Sequence, residues 1–90
     1  MAITWVPFGN RLRHYREKRG LTQRLLADRM RCSRSYIARL ESGRGINPTL
    51  GTILSLLGAL QVSPAEFFEP FTDIIDLYME ANVDTQPPRR

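Results

Sequence analysis

The 90-residue sequence predicts an all-α fold, a compact five-helix domain followed by one further amphipathic helix. Apolar residues recur at intervals of three and four along most of the chain, as they do on the buried face of a helix. Capping residues and glycines interrupt this pattern at short intervals, which predicts that each helix is short. The period-two alternation of strands does not extend beyond a few residues, and the sequence contains no Asn-Gly or Asp-Gly hairpin signal.

The first three helices are each predicted from an apolar stripe and a capping signal. Gly20 and Gly43 stand where left-handed C-terminal caps are expected, and Thr22 and Ser33 are N-cap residues. The predicted bounds are about Phe8–Arg19, Gln23–Met30 and 33–42. The residues predicted to face the core are Phe8, Leu12, Tyr15, Leu26, Ala27, Met30, Ile37 and Leu40.

Two further helices complete the predicted domain. Asn47 is predicted to cap the fourth helix, with Pro48 at its first position. Ser63-Pro64-Ala65-Glu66 has the pattern of a capping box and opens the fifth, in which Phe67 and Phe68 close the core. The residues of the fourth helix predicted to face inward are Leu50, Ile53, Leu54, Leu57 and Leu60.

The chain after Pro70 predicts a separate amphipathic helix of about three turns. Its apolar stripe comprises Phe71, Ile74, Ile75 and Tyr78, and its other face carries Asp73, Asp76 and Glu80. The predicted organisation is therefore a helix-turn-helix domain over residues 1–69, this C-terminal helix over residues 70–82 and a disordered tail over residues 83–90.

Charge is divided unevenly along the chain. Residues 1–46 carry eleven Arg or Lys against three acidic residues, a net of +8, whereas residues 47–88 carry six acidic residues and no base. A basic half of this kind favours a polyanionic partner. The single cysteine excludes an intramolecular disulfide. No apolar run is long enough to span a bilayer, and the N-terminus does not resemble a secretory signal, which predicts a cytoplasmic protein without membrane contact.

The second and third helices form a predicted helix-turn-helix around Arg31-Cys32. In such a pair the first helix crosses the phosphate backbone of a duplex while the second lies in the major groove. Ile37 and Leu40 anchor the second helix to the core. Its outward residues at the N-terminal end are polar, and we expect them to reach base edges: Ser33, Arg34, Ser35 and Arg39.

The order and spacing of these motifs resemble the phage-repressor and Cro-like (Xre-type) helix-turn-helix family. The resemblance covers about residues 8–68 and implies a lambda-repressor-like domain. It is carried by Thr22-Gln23-Arg24-Leu25-Leu26-Ala27, Ser33-Arg34-Ser35-Tyr36-Ile37, Leu40-Glu41-Ser42-Gly43-Arg44, Asn47-Pro48-Thr49-Leu50 and Leu60-Gln61-Val62-Ser63-Pro64.

The resemblance also implies a role for individual residues. Ser33, Arg34, Ser35 and Arg39 match base-facing positions, and Gln23, Tyr36 and Arg44 match positions that contact DNA phosphates. Arg31 replaces the usual glycine of the turn, and we expect its charge to face phosphate. Arg16 and Glu41 match an ion pair that ties the first helix to the third. Cys32 replaces an aliphatic residue and is interpreted as a small core residue.

No catalytic or cofactor chemistry is predicted. His14 is the single histidine, and no carboxylate or cysteine is spaced to orient it as a general base. The acidic face at Asp73, Asp76 and Glu80 is interpreted as solvated, not as a metal site. The sequence contains no glycine-rich phosphate loop. The sequence therefore predicts neither an enzyme nor a bound metal or cofactor.

The leading hypothesis is a homodimeric transcriptional regulator, most simply a repressor, on double-stranded DNA with a partly palindromic operator and half-sites about 34 Å apart. The predicted dimer seam is Phe71, Ile74, Ile75 and Tyr78.

An antitoxin or a restriction–modification controller would use the same domain. Two further hypotheses are a protein-interaction module that has lost DNA binding, with the C-terminal helix docking a partner, and a protein that binds RNA or binds nucleic acid non-specifically. Arg34, Arg39 and Arg44 argue against the module, and missing aromatic platforms argue against single-stranded RNA.

Overall fold

The computed structural model describes residues 5–83 and confirms the all-α fold class. Of the tail predicted to be disordered, residues 84–90 lie outside this range. The helices are α1 (Val6–Lys18), α2 (Gln23–Met30), α3 (Arg34–Ser42), α4 (Leu50–Leu60), α5 (Pro64–Phe68) and α6 (Thr72–Asn82), with a 3₁₀ turn at Glu69–Phe71 before α6.

Helix α3 lies at the centre of the domain, with α1 and α2 packed against it and α4 packed against α2. Leu12, Leu26, Leu56, Leu60 and Phe67 are fully buried. The sequence correctly predicts the stripes Phe8, Leu12, Tyr15 of α1 and Ile37, Leu40 of α3, all of which belong to this core. Met30, predicted to face inward, is only half-buried at the end of α2.

Three helices end in the same left-handed hydrogen-bond pattern. Gly20, Arg31 and Gln61 have φ values of 69°, 55° and 55°. After each of them the next residue donates its N–H to a carbonyl five residues back, as Cys32 does to Ala27 at 3.0 Å. This is the Schellman arrangement, in which glycine is preferred because it has no Cβ. Two of the three ends therefore use a side-chain-bearing residue, at a cost on the order of 1 kcal/mol each.

The prediction that Asn47 caps α4 is wrong. Thr49 is the N-cap, and its Oγ1 accepts the N–H of Thr52 at 3.2 Å. Pro48 consequently precedes the helix instead of occupying its first position. Both Asn47 and Thr49 are good capping residues, so local chemistry does not distinguish them.

The predicted inward face of α4 is also partly wrong. Leu50 and Leu54 are 69% and 48% exposed, whereas Leu56, which was not predicted, is fully buried. The buried set is Ile53, Leu56, Leu57 and Leu60. Leucine or isoleucine residues lie on several sides of α4, so periodicity alone does not identify the face that packs on the core.

Ser63 caps α5 as predicted, and its hydroxyl accepts the N–H of Glu66 at 3.1 Å. The second half of the predicted capping box is wrong, because Glu66 does not return to the backbone of Ser63. Its carboxylate accepts the hydroxyl of Tyr15 at 3.1 Å instead. Burial, followed by this hydrogen bond, raises the pKa of Tyr15. Phe67 is fully buried, while Phe68 is only half-buried.

Arginines from α1 and α2 bind the C-terminal carbonyl groups of α4 and α5. Arg11 donates to the carbonyls of Phe67 and Glu66 at 2.6 and 2.7 Å. Arg19 donates to the carbonyls of Leu60 and Gln61, and Arg29 to that of Ala59. The last carbonyls of a helix carry partial negative charge and lack partners within the helix. Part of the basic charge of the N-terminal half therefore holds the fold together.

The backbones of α1 and α3 approach each other closely at Gly9. A Cβ at this position would collide with the carbonyl groups of Leu40 and Glu41. A second close approach occurs at Gly43, where a Cβ would collide with the carbonyl of Trp5 and where φ is also positive at 65°. Glycine at these two positions lets the N-terminus of α1 sit directly on the C-terminal end of α3.

Helix α6 extends the fold and contains no buried residue. An open apolar groove of about 70 Å³ lies beside the first turns of α6. Its lining residues are Trp5, Pro7, Phe8, Phe68 and Phe71, together with Ile74 and Ile75 of α6. Ile74 is itself exposed, and Leu77, Tyr78 and Met79 are exposed further along α6. Between residues 5 and 83 no single helix could cross a membrane; α4 and the Pro64–Asn82 segment, which meet at 107°, are long and apolar enough only when taken together.

Candidate nucleic-acid interface

Helices α2 and α3 form the helix-turn-helix pair that the sequence predicts. Thr22 and Ser33 cap them, and each side-chain oxygen accepts a backbone N–H three residues later at 3.1 Å. Ile37 and Leu40 are buried beneath α3. The four predicted base-contacting residues, Ser33, Arg34, Ser35 and Arg39, are all exposed. The structure therefore leaves one face of α3 open and polar along its first turns.

The turn between the two helices is formed by Arg31 and Cys32. Arg31 adopts φ 55° and ψ 43°, and its side chain is exposed, so its charge is available to a ligand. Cys32 is half-buried and packs against the core, as its interpretation as a small core residue requires. Burial raises the pKa of its thiol and so favours the protonated form.

The predicted phosphate contacts flank the open face of α3. Gln23 occupies the first position of α2 and is half-buried, and Arg44 is exposed just beyond the C-cap of α3. Tyr36 is half-buried, with its side chain packed against the core. N-terminal N–H groups of a helix attract anions, and Gln23 and Tyr36 belong to the first turns of α2 and α3.

A buried ion pair lies directly behind this surface. Arg16 Nε donates to Glu41 Oε2 at 2.5 Å and Nη2 donates to Oε1 at 3.1 Å, which makes the contact bidentate. The remaining Arg16 nitrogen donates to the carbonyl of Leu21 at 2.7 Å. The two side chains are only 10% and 4% exposed. The pair joins α1 to the C-terminal end of α3.

Gln23 connects this ion pair to the exposed face of α3, which sequence reasoning did not predict. Its amide Nε2 donates to Glu41 Oε1 at 3.2 Å, and its amide Oε1 accepts from Arg34 Nη1 at 3.0 Å. The sequence analysis names Gln23, Glu41 and Arg34, but it gives each of them a separate contact. Their separations of 18 and 11 positions carry no local signal that would have joined them.

Nine of the eleven basic residues of the chain's first half fall into two groups; Arg34 bonds to the Gln23 amide and Lys18 lies over the ring of Tyr15. Arg11, Arg16, Arg19 and Arg29 bind carbonyl or carboxylate groups of the protein, and Arg13 pairs with Glu17 at 2.8 Å. Within residues 5–83, four exposed arginines have no side-chain hydrogen bond or ion pair to another group: Arg24, Arg31, Arg39 and Arg44. All four belong to the helix-turn-helix or its immediate flank. The unpaired arginines of the described residues are concentrated there.

The single histidine and the acidic face of α6 lie outside the helix-turn-helix. His14 is exposed and contacts the ring of Tyr15 edge-on, with centroids 5.3 Å apart. Among residues 5–83, no three His, Cys, Asp or Glu side chains converge in a way that could hold a metal ion. The acidic residues Asp73, Asp76 and Glu80 are exposed on α6.

Comparison with known proteins gives matches to the stretch of chain that contains the helix-turn-helix. The family model described as a helix-turn-helix domain matches residues 7–68. An immunity repressor protein of Bacillus phage phi105 is 43% identical over 57 residues, which are 63% of this chain. The match covers 39% of that repressor, so the chain spans well under half the length of this relative.

Solved structures share the fold over more of the chain. The restriction-modification controller protein C.AhdI from Aeromonas hydrophila is 42% identical, with 71% of this chain and 91% of that chain covered and a TM-score of 0.66. The controller protein C.Esp1396I, solved as a tetramer in complex with its natural 35 base-pair operator, is 25% identical. That comparison covers 83% of this chain and 97% of the controller, with a TM-score of 0.68.

Proposed function

The chain belongs to the helix-turn-helix domain family, and we propose on that basis that it is a sequence-specific DNA-binding regulator of transcription. The observation that carries the proposal is the exposed face of α3, where Arg34 and Arg39 stand over the buried anchors Ile37 and Leu40. An arginine fork matches the O6 and N7 edge of guanine in the major groove. The relatives named as an immunity repressor and as a controller in complex with its operator support this proposal.

In this proposal α3 enters the major groove and the flanking residues bind the phosphate backbone. Ser33, Arg34, Ser35 and Arg39 would contact base edges, while Gln23, Arg31, Tyr36 and Arg44 would contact phosphates. No step of this function requires a cofactor or catalysis, and the protein would act in the cytoplasm, where its DNA target is.

Arg34→Ala and Arg39→Ala should each weaken binding to a site selected from random DNA by about 1–3 kcal/mol and relax base preference at one position. Fluorescence anisotropy on the selected site and on a scrambled duplex measures both effects. Arg13→Ala is the matched control, because that exposed arginine already pairs with Glu17. Equal losses on the two duplexes would show that Arg34 and Arg39 contact phosphates only, and affinity that does not fall with salt would contradict DNA binding itself.

We further propose that the protein acts as a homodimer joined through α6. A single small domain contacts too few base pairs for tight specific binding, so two copies on a partly palindromic operator are expected. Of the predicted seam, Ile74 and Tyr78 are 45% and 39% exposed, which leaves them available to a partner. Phe71 and Ile75 are half-buried against their own domain. Leu77 and Met79, 54% and 56% exposed, enlarge the apolar surface.

Ile74→Asp should convert the protein to monomers, because it places a charge in the proposed seam, and should weaken operator binding more than about tenfold through lost avidity. Analytical ultracentrifugation of the full chain measures the mass. Asn82→Asp adds the same charge to a polar position of α6 and should leave the mass unchanged. A monomeric wild type, or a dimeric Ile74→Asp variant, would place the interface elsewhere or remove it.

Both a restriction-modification controller and a phage repressor are among the relatives of this chain. A small controller and an antitoxin would use the same DNA-binding face, and the neighbouring genes distinguish them: a restriction enzyme next to the gene favours the first and a toxin the second.

A further inference from the structure

The side-chain amide of Gln23 is held from both sides. Its NH₂ group faces the carboxylate of Glu41 at 3.2 Å, and its carbonyl oxygen faces the guanidinium of Arg34 at 3.0 Å. Rotation of the amide by half a turn would set its oxygen against the carboxylate and its NH₂ against the guanidinium. Both contacts would then be repulsive, so the two charged neighbours fix the orientation of the amide.

This arrangement leaves Gln23 able to bind DNA at the same time. The amide has two N–H donors, of which Glu41 uses one, and its oxygen is used by Arg34. The second N–H is free for a phosphate oxygen, which is the contact proposed for Gln23 above. The bond to Arg34 and the bond to a phosphate therefore need not compete.

Glu41 is itself immobile. Its side chain is 4% exposed and is held by two nitrogens of Arg16. Arg34, by contrast, is an exposed side chain on the first turn of α3, and a free arginine would lose rotamer freedom on binding a base. The path from Glu41 through Gln23 to Arg34 thus links a rigid buried group to the first residue of the helix that faces the groove.

We propose that Glu41 is a positioning residue that orients Arg34 through the amide of Gln23, and so contributes to base selection without contacting DNA. This inference rests on the proposed function for its effect on base selection, although the link between the side chains exists in the free protein. Preorganisation of Arg34 lowers the entropy lost on binding and favours the base whose edge suits that one orientation. The buried ion pair then contributes to specificity as well as to folding.

A double-mutant cycle tests the link on the DNA site selected by the wild type. Arg34→Ala should weaken binding roughly tenfold or more in the wild-type background but less than about threefold in the Gln23→Ala background, because the amide no longer orients Arg34. Arg39 is the matched control, since it lies on the same face and does not contact Gln23. Arg39→Ala should cost the same factor in both backgrounds. Additive effects of Gln23→Ala and Arg34→Ala would overturn the proposal.

The part played by Glu41 needs a variant that keeps the fold. Arg16→Met/Glu41→Leu removes both buried charges together, which buried ion pairs often tolerate. Where thermal unfolding shows this double variant to be folded, base preference should relax at the position that Arg34→Ala relaxes and nowhere else. If it does not fold, Gln23→Met, which removes both hydrogen bonds of the amide at similar side-chain length, should relax the same position. Unchanged preference there in the folded variant contradicts the positioning role.

A measurement without DNA separates this proposal from the proposed function. In a ¹⁵N-correlated NMR spectrum of the free protein, Arg34→Ala should shift the Gln23 side-chain amide resonances, and Arg39→Ala should leave them in place. If the wild type selected no DNA sequence, the proposed function and the role in base selection would both fall, and the shift would show only that the link exists. If the wild type selected a site but Arg34→Ala left the Gln23 amide resonances unshifted, the proposed function would stand. Only the positioning of Arg34 by Glu41 through Gln23 would then be wrong.

Discussion

Arg16→Ala should lower the free energy of unfolding by about 3–5 kcal/mol, because it leaves the carboxylate of Glu41 buried without its counter-charge. Glu41 is 4% exposed and would retain only the weak bond from Gln23. The carbonyl of Leu21 also loses its donor. Small domains have total stabilities of about 5–15 kcal/mol, so this one substitution would remove a large share. Urea unfolding followed by circular dichroism measures the change.

Arg13→Ala provides the matched control for this experiment. Arg13 lies on the same helix and also pairs with a glutamate, but its side chain and that of Glu17 are 64% and 55% exposed. Exposed pairs contribute little to stability, so we expect a small change. The uncharged Arg16→Met/Glu41→Leu variant should recover part of the loss, because no buried charge remains unpaired. Equal effects of Arg16→Ala and Arg13→Ala would contradict the structural role given to the buried pair.

Gly9→Ala should cost about 3 kcal/mol, the upper end of the range for overpacking, although alanine is the better helix former. The new methyl group would meet the backbone carbonyls of Leu40 and Glu41, which cannot rotate away as a side chain would. Helices α1 and α3 would have to separate, and the Arg16–Glu41 bonds span the same contact. Thermal unfolding of the purified variant, compared with the wild type, measures the loss.

Gly58→Ala is the control for this substitution. Gly58 is also within a helix, but nothing lies within 4 Å of the position its Cβ would take. Alanine should stabilise the protein there by about 0.5–1 kcal/mol through helix propensity. Opposite signs at the two glycines would identify the close approach of α1 and α3 as the cause. A stabilising or neutral Gly9→Ala would show that the two helices do not meet as closely as described.

The sequence was most informative where a single local signal decides the structure. Thr22 and Ser33 cap helices that begin where predicted, and Ile37 and Leu40 of α3 are buried as expected. It was least informative in α4, where Asn47 and Thr49 are equivalent as caps. Because apolar residues lie on several sides of that helix, its buried face is not evident from the sequence, and the tertiary packing buries Leu56 and leaves Leu54 exposed.

Side-chain partners far apart in the chain were predicted only through the family resemblance. Arg16 and Glu41, 25 positions apart, were paired in that way. No family position suggested that Arg11 and Arg19 bind the carbonyl ends of α5 and α4, at separations of 41 to 56 residues. Sequence charge alone does not distinguish the ten arginines of the basic half from one another, because the backbone acceptors that separate them are brought together only on folding.

The arginines that bind helix ends limit how the surface charge of this protein can be redesigned. An engineer who wished to reduce its attraction to bulk nucleic acid would first consider neutralising any of the eleven basic residues in the first half of the chain. Arg11, Arg19 and Arg29 are poor choices, since each replacement would strip donors from carbonyls that terminate α4 or α5. Arg24 can be changed at lower risk to the fold, because no bond within residues 5–83 depends on its side chain.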